Sequence, residues 1–188
     1  MKFQTGQVVL FNNTKSLFGK LITFYNQTTY GESKTTHAGI IAEVNDKILI
    51  FESANMSGFK PYLYEKEFLE EKIKNGEIII STPRVKVKNV KECCNNYRNI
   101  RYAILDIVAI ALYWATGFKI KMTRSSKLIC SEAVVRVLYD ASQKKIDFTK
   151  EFHKPYDLIT PADIYYSSQM KNSDESGLKI IAKLVKNK

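Results

Sequence analysis

The chain predicts an α+β fold, a small antiparallel sheet packed against helices. Three observations predict it. Short β-rich runs and amphipathic runs alternate in mixed order (a strand and a helix, an antiparallel cluster, then helices), and no internal repeat is visible. Two of the β-rich runs, 38–44 and 47–52, are joined by Asn45-Asp46 alone, which indicates a tight hairpin. The 188 residues are enough for one domain with a real core, and a 45% apolar content argues against a disordered chain.

Each element follows from local pattern. Residues 7–11 (Gln-Val-Val-Leu-Phe) read as a short buried strand entered through Gly6. Residues 17–25 carry Leu17, Leu21, Phe24 and Tyr25 at helical spacing and lead into a polar loop, 26–36. After the hairpin, 53–58 is loop, 62–64 a short strand, and 65–74 a helix stopped by Asn75-Gly76. Residues 77–81 form a strong strand, which 84–87 extends beyond Pro83. Residues 90–101 read as a helix carrying Cys93 and Cys94.

The apolar run 102–118 is short for a membrane span, is interrupted by Asp106 and is closed by Gly117, so it reads as a buried core helix. Residues 130–141 have helical spacing, with Thr123, Ser125 and Ser126 as N-cap candidates upstream. A loop then runs through Pro155 to Pro161, where Thr160-Pro161-Ala162-Asp163 starts a short helical turn. Residues 171–177 are polar and linker-like. In 178–185, Leu178, Ile181, Leu184 and Val185 share one face, with Lys179, Lys183 and Lys186 elsewhere. The chain thus divides into a folded domain, 1–168, and a tail, 169–188, of polar linker and Lys-rich amphipathic helix.

Formal net charge is +10, from 29 Lys+Arg against 19 Asp+Glu. The positive charges are mostly Lys, spread along the chain without an Arg-rich block, so a solvated basic surface is favoured over a nucleic-acid footprint. No specific nucleic-acid partner is expected; an anionic surface, membrane or cell-wall polymer, stays open. Three cysteines without a Cys-x-x-Cys pair give neither a disulfide framework nor a zinc site, and two histidines are too few for a metal centre. Reduced thiols and an N-terminus without a signal-peptide core lead to the expectation of a cytoplasmic protein, with membrane-surface association open.

The chemistry gathers around Cys130. Its helix puts Cys130, Val134, Val137, Leu138 and Ala141 on one face and Glu132, Arg136 and Asp140 on others. Unpaired N–H groups and the positive end of the helix dipole favour a thiolate in the first turn. The competing reading is a small buried hydrophobe. In a two-residue hairpin with Val44 opposite Lys47, residues i and 91−i are partners, so Gly39 opposes Glu52. His37 and Glu52 then become diagonal neighbours on one face, with Gly39 leaving room between them. A one-residue bulge would separate them. A carboxylate on one imidazole nitrogen fixes the tautomer and leaves the other to face a nucleophile. Alone, His37 also fits a strand-end histidine at a loop edge, and Glu52 a solvated hairpin charge.

At these residues the chain resembles the circularly permuted NlpC/P60 group of papain-like proteins, the YiiX/YebB-like and poxviral relatives. The resemblance rests on His37-Ala38-Gly39-Ile40-Ile41, Phe51-Glu52-Ser53 and Cys130-Ser131-Glu132-Ala133-Val134, in that order. Gly6-Gln7-Val8-Val9-Leu10-Phe11 is similar to the group's opening, with Gln where Asp is common, and Thr160-Pro161-Ala162-Asp163-Ile164 to its closing Pro-x-Asp segment. It covers about Gly6 to Ile164; each motif is short, and their order and spacing carry the specificity.

The resemblance implies a permuted papain-like catalytic domain over 1–168, with Cys130 as nucleophile, His37 as base and Glu52 as third member. It implies a cysteine peptidase or amidase working through a thioester acyl-enzyme, with no metal or organic cofactor. The substrate would be a peptide, an amide or a lipid-linked acyl group. The alternatives are a lipid-directed acyltransferase or phospholipase of the lecithin:retinol-acyltransferase-like type, whose members usually have a second histidine where Glu52 stands, and a non-catalytic binding module. Cys93, Cys94 and His153 match no motif; the cysteines read as helix packing and His153 as a loop residue.

Overall fold

The structure is a computed structural model and describes residues 2–12, 20, 23, 29–30, 35–53, 58–102, 127–128 and 130–174. Most of the helix expected at 17–25, the helix expected at 178–185, nearly all of the apolar run 102–118, and the N-cap candidates Thr123, Ser125 and Ser126 lie outside these residues.

Six antiparallel strands form the main sheet: β1 (Val8–Phe11), β2 (His37–Val44), β3 (Ile48–Glu52), β4 (Lys60–Tyr64), β5 (Ile78–Pro83) and, numbered eighth along the chain, β8 (Met170–Asn172). Their order is β4-β3-β2-β1-β5-β8. A separate parallel pair, β6 (Arg101–Tyr102) and β7 (Lys127–Leu128), returns the chain just ahead of Cys130. The α-helices that lie wholly within the described residues are α1 (Lys66–Lys74), α2 (Val90–Asn96), α3 (Cys130–Ala141), α4 (Phe148–Phe152) and α5 (Pro161–Tyr166). The α+β class and the antiparallel sheet are as the sequence predicts. Among the described residues no helix is long and apolar enough to cross a membrane.

Strand alternation splits the core in two. Val8, Leu10, Ala38, Ile40 and Phe51 pack with Ala133, Val134, Val137 and Leu138 of α3, and with residues of α2 and α5. Val9, Ile41, Ile48, Ile50, Ile78 and Ile80 pack on the other face against Leu69 of α1. Burying a side chain such as Leu69, fully enclosed, contributes about 1.5–3 kcal/mol. α3 is buried on more sides than its apolar stripe requires: Ser131 and Glu132 are enclosed as well. Glu132 tolerates this because Arg136 Nε and Nη2 both donate to its Oε1, while the guanidinium lies 4.6 Å from the Tyr156 ring centroid.

Four segments differ from the sequence expectation. Residues 84–87 do not extend β5: past Pro83 the chain turns off, and Arg84 donates its N–H to Gln169 O and its Nε to Met170 O. The helix expected over 90–101 ends at Asn96, with Tyr97 as C-cap and Asn99 at φ 65°. The loop before Pro161 holds α4, whose N-cap Asp147 accepts from the N–H groups of Thr149 and Lys150, and a 3-10 turn at Tyr156–Leu158. The linker-like stretch begins as β8, paired to β5 through Ser81–Asn172, Thr82–Lys171 and Pro83–Met170.

Candidate active site

His37 opens β2 and Glu52 closes β3. Gly39 is the β2 partner of Glu52, as the hairpin arithmetic requires. The hairpin reaches that register by a different route. Val44 pairs with Ile48 rather than Lys47, so the turn has three residues, Asn45-Asp46-Lys47, with Asn45 N–H bonded to Lys47 O. A bulge between Ile41 and Glu43 makes Ala42 an extra residue on β2. The two one-residue offsets cancel.

His37 Nε2 and Glu52 Oε2 lie 2.6 Å apart. The other carboxylate oxygen, Oε1, accepts from the Tyr64 hydroxyl on β4. Glu52 is therefore held at both oxygens while almost fully buried, at 3% exposure. Burial by itself raises its carboxyl, but the hydrogen bond and charge of His37 and the Tyr64 hydroxyl outweigh it and hold the group below the usual carboxylate range. Tyr64, between burial and the Glu52 charge, is pushed up and stays a proton donor.

Gly39 is needed where it stands. A Cβ there would lie 2.8 Å from Ile50 Cγ2 and 3.2 Å from Glu52 Cβ. The space between the imidazole and the carboxylate is thus part of the β2–β3 packing rather than an open gap.

Cys130 is the first residue of α3 and is 1% exposed. By alternation His37 and Glu52 belong to the α1 face of the sheet, whereas α3 covers the other face. The thiol meets the imidazole around the end of β2, where pairing with β3 has stopped at Gly39–Glu52. One residue further, the Ala38 N–H is directed at Cys130, as is the Ser131 N–H of the first helical turn. With Nε2 of His37 taken by Glu52, the hydrogen bond between His37 and Cys130 falls to Nδ1.

The electrostatics follow from this packing. Burial raises the Cys130 thiol; the His37 charge and hydrogen bond, with the Ala38 and Ser131 N–H groups, outweigh it and bring the thiol below its ordinary value. Burial lowers the His37 imidazole; the charge and hydrogen bond of Cys130, then those of Glu52, outweigh it and lift its pKa from 6.5 to about 10. Both shifts favour a thiolate–imidazolium pair. The His37 side chain remains 22% exposed, which puts the solvent approach to the pair on its side.

Three of the residues singled out in the sequence therefore come together: Cys130, His37 and Glu52. Cys93 and Cys94 do not join them. Both pack from α2 against the core that α3 shares, and burial pushes both thiols up. His153 is the left-handed C-cap of α4, at φ 53°. Tyr64 and the Ala38 N–H are the members that sequence reasoning misses. The alternation of Tyr62 and Tyr64 would have placed both on the Glu52 face, had the β3–β4 register been known. Asp163, in the Pro-x-Asp segment, closes the capping box of α5 with Thr160. Among the described residues no group of three or more His, Cys, Asp or Glu is placed to hold a metal.

A scan against protein-family models and a search of curated proteins give no match to this chain.

Proposed function

We propose that the protein is a cysteine hydrolase of the permuted papain-like type, a peptidase or amidase in which Cys130 is the nucleophile, His37 the base and Glu52 the residue that orients it. The observation that supports this most is His37 paired at Nε2 with a Glu52 held at both oxygens, with the buried Cys130 close enough for its charge to raise the imidazole. The chain order, histidine strand, glutamate strand, cysteine helix, is the permuted order of that group.

In this reading the Cys130 thiolate attacks the amide carbon, and the carbonyl π pair moves onto oxygen. The backbone N–H of Cys130, at the start of α3, serves as a donor for the oxyanion. Collapse breaks the C–N bond, and His37 gives its proton to the departing amine. The thioester is then opened by water, whose proton returns to His37 as the acid leaves and the thiolate re-forms. Glu52 keeps one ring nitrogen protonated throughout, so Nδ1 remains the atom that carries the transferred proton.

The test is acyl capture. Incubated with a panel of acyl amides, acyl esters and phospholipids, the protein gains the mass of one acyl group on Cys130, released by hydroxylamine and absent in Cys130→Ser. His37→Ala slows acylation by about 100-fold or more, the scale of positioned acid–base help. Capture from esters of lipids but from no amide would move the assignment to a lipid-directed acyltransferase. No capture from any donor by a folded protein would leave a binding module.

A further inference from the structure

We propose that the pole of the molecule opposite Cys130 is a docking surface for an anionic lipid bilayer. It is formed by Arg84, Lys86, Lys88, Lys144, Lys145 and Lys171 around the exposed Val85. The proposal is independent of the catalytic reading.

The cations come together through the fold. Past β5 the chain carries Arg84, Lys86 and Lys88 across to the end of α3, where the Lys88 N–H bonds Ala141 O at 2.9 Å. Lys144 and Lys145 follow α3 directly, the Lys144 N–H returning to Tyr139 O. Lys171 sits on the edge strand opposite Thr82. All six are exposed.

Among the described residues their charge is not neutralised locally. No acidic residue occurs between Glu77 and Glu92, or between Asp140 and Asp147. Elsewhere Lys47, Lys72, Lys91, Lys150 and Lys154 are each paired with a carboxylate; the six at this pole make no ion pair with any described residue. The described acids that flank these segments have other partners: Asp140 accepts from the Tyr97 hydroxyl, Asp147 caps α4 and faces Lys150, Glu151 accepts from Ser167 and Gln169, and Asp174 accepts from the Tyr165 hydroxyl.

Two features select a lipid surface over other polyanions. Val85, 37% exposed, stands between Arg84 and Lys86, so the strip offers an aliphatic wedge among cations rather than an aromatic ring on which a base could stack. Beside it lies a groove of about 250 Å³ whose wall sets Gln4, Thr5, Gln7 and Thr82 next to Arg84 and Lys86, neutral polar groups beside cations, suited to a phosphate-bearing headgroup. α3 runs from the thiol to this pole, and its 12 residues span about 18 Å at 1.5 Å per residue. A molecule docked here holds its thiol away from the surface that binds it.

The experiment is co-sedimentation of the full chain with vesicles of phosphatidylcholine, with and without phosphatidylserine, at low and high salt. Binding that needs phosphatidylserine is expected, as is a loss of at least tenfold in Arg84→Glu/Lys86→Glu. The charge-matched control Lys66→Glu/Lys74→Glu on α1 should change it less than twofold, with melting temperatures confirming that both variants fold. Val85→Ser should weaken vesicle binding severalfold and leave heparin binding unchanged. Equal losses in the two charge-reversal variants, no preference for phosphatidylserine, or vesicle binding indifferent to Val85→Ser would each overturn the proposal. So would tight binding of duplex DNA with none to vesicles.

Discussion

His37 Nε2 and Glu52 Oε2 stand 2.6 Å apart because two irregularities of their hairpin compensate each other. The turn is one residue longer than the two small residues Asn45-Asp46, and the bulge at Ala42 adds one residue back on β2. Either offset alone would turn Glu52 to the opposite face of the sheet. The pairing is thus held by a bulge in mid-strand as much as by the turn.

Gly39→Ala tests how tightly that pairing is packed. The new methyl meets Ile50 Cγ2 and Glu52 Cβ inside contact distance, and neither is the free end of a flexible chain. A loss of about 1–3 kcal/mol is expected, read from the denaturant midpoint. The His37-dependent acidity of Cys130 should fall with it, because the methyl acts on Glu52 directly.

Tyr64→Phe removes the donor to Glu52 Oε1 and leaves a buried carboxylate oxygen without that partner. The expected loss of stability is about 1–3 kcal/mol. The Glu52 carboxyl, which the Tyr64 hydroxyl helps to hold low, titrates at higher pH in the variant. The acid limb of any pH–rate profile should therefore move upward, a change that a simple packing role for Tyr64 would not produce.

Asp163→Ala should behave differently. Asp163 is fully buried and accepts from the Tyr30 hydroxyl, Lys154 Nζ at 2.8 Å, Thr160 N–H at 2.7 Å and Thr160 Oγ1 at 2.9 Å. Removing the carboxylate takes an ion pair from Lys154 and the cap from the start of α5, at a loss of about 3–5 kcal/mol. The Cys130 titration should be unchanged in the folded fraction, which separates a structural cap from a site residue.

The thiolate–imidazolium pair also predicts a stability profile. His37 is raised in the folded state from 6.5 to about 10, so its contribution is full below 6.5 and is lost as pH rises through about 10. Cys130 is lowered, so its contribution is full above the ordinary thiol value of 9.0 and is lost as pH falls through the lowered one. In the part of the 6.5–9.0 range that lies above the lowered Cys130 value the two slopes cancel, since folded and unfolded chains there bind equal numbers of protons. Denaturation midpoints of the wild type, less those of Cys130→Ala/His37→Ala, should show a plateau in that range, with a decline toward acid as the thiolate is protonated and toward alkali as His37 loses its proton.

The parts of this fold that were legible in the sequence are those set by short-range periodicity. The 3.6-residue spacing gave α3 the residue range seen in the structure, whereas the shared face of His37 and Glu52 came out as expected only because the three-residue turn and the Ala42 bulge, neither expected from the sequence, cancel. What was not legible depends on distant partners. Tyr64 could not be assigned without the β3–β4 register, and residues 53–59 between the strands hide it. β8 is a strand because β5 offers it an edge; nothing in Met170–Asn172 favours one. The burial of Glu132 depends on Arg136 and Tyr156. α4 is the instructive miss, since Asp147 ahead of Phe148-Thr149-Lys150-Glu151 is an N-cap signal that the surrounding polar run concealed.

The most direct test of the central claim is the titration of the Cys130 thiolate by its ultraviolet absorbance, taken as wild type less Cys130→Ser. At 1% exposure, Cys130 is better read by a signal that needs no reagent to enter. In the wild type the thiolate should form below the ordinary thiol value of 9.0, and in His37→Ala it should be displaced above that value, where burial acts unopposed by the imidazolium. A Cys130 that titrates at or above the ordinary value in both proteins would contradict the thiolate–imidazolium pair, and the hydrolase assignment with it.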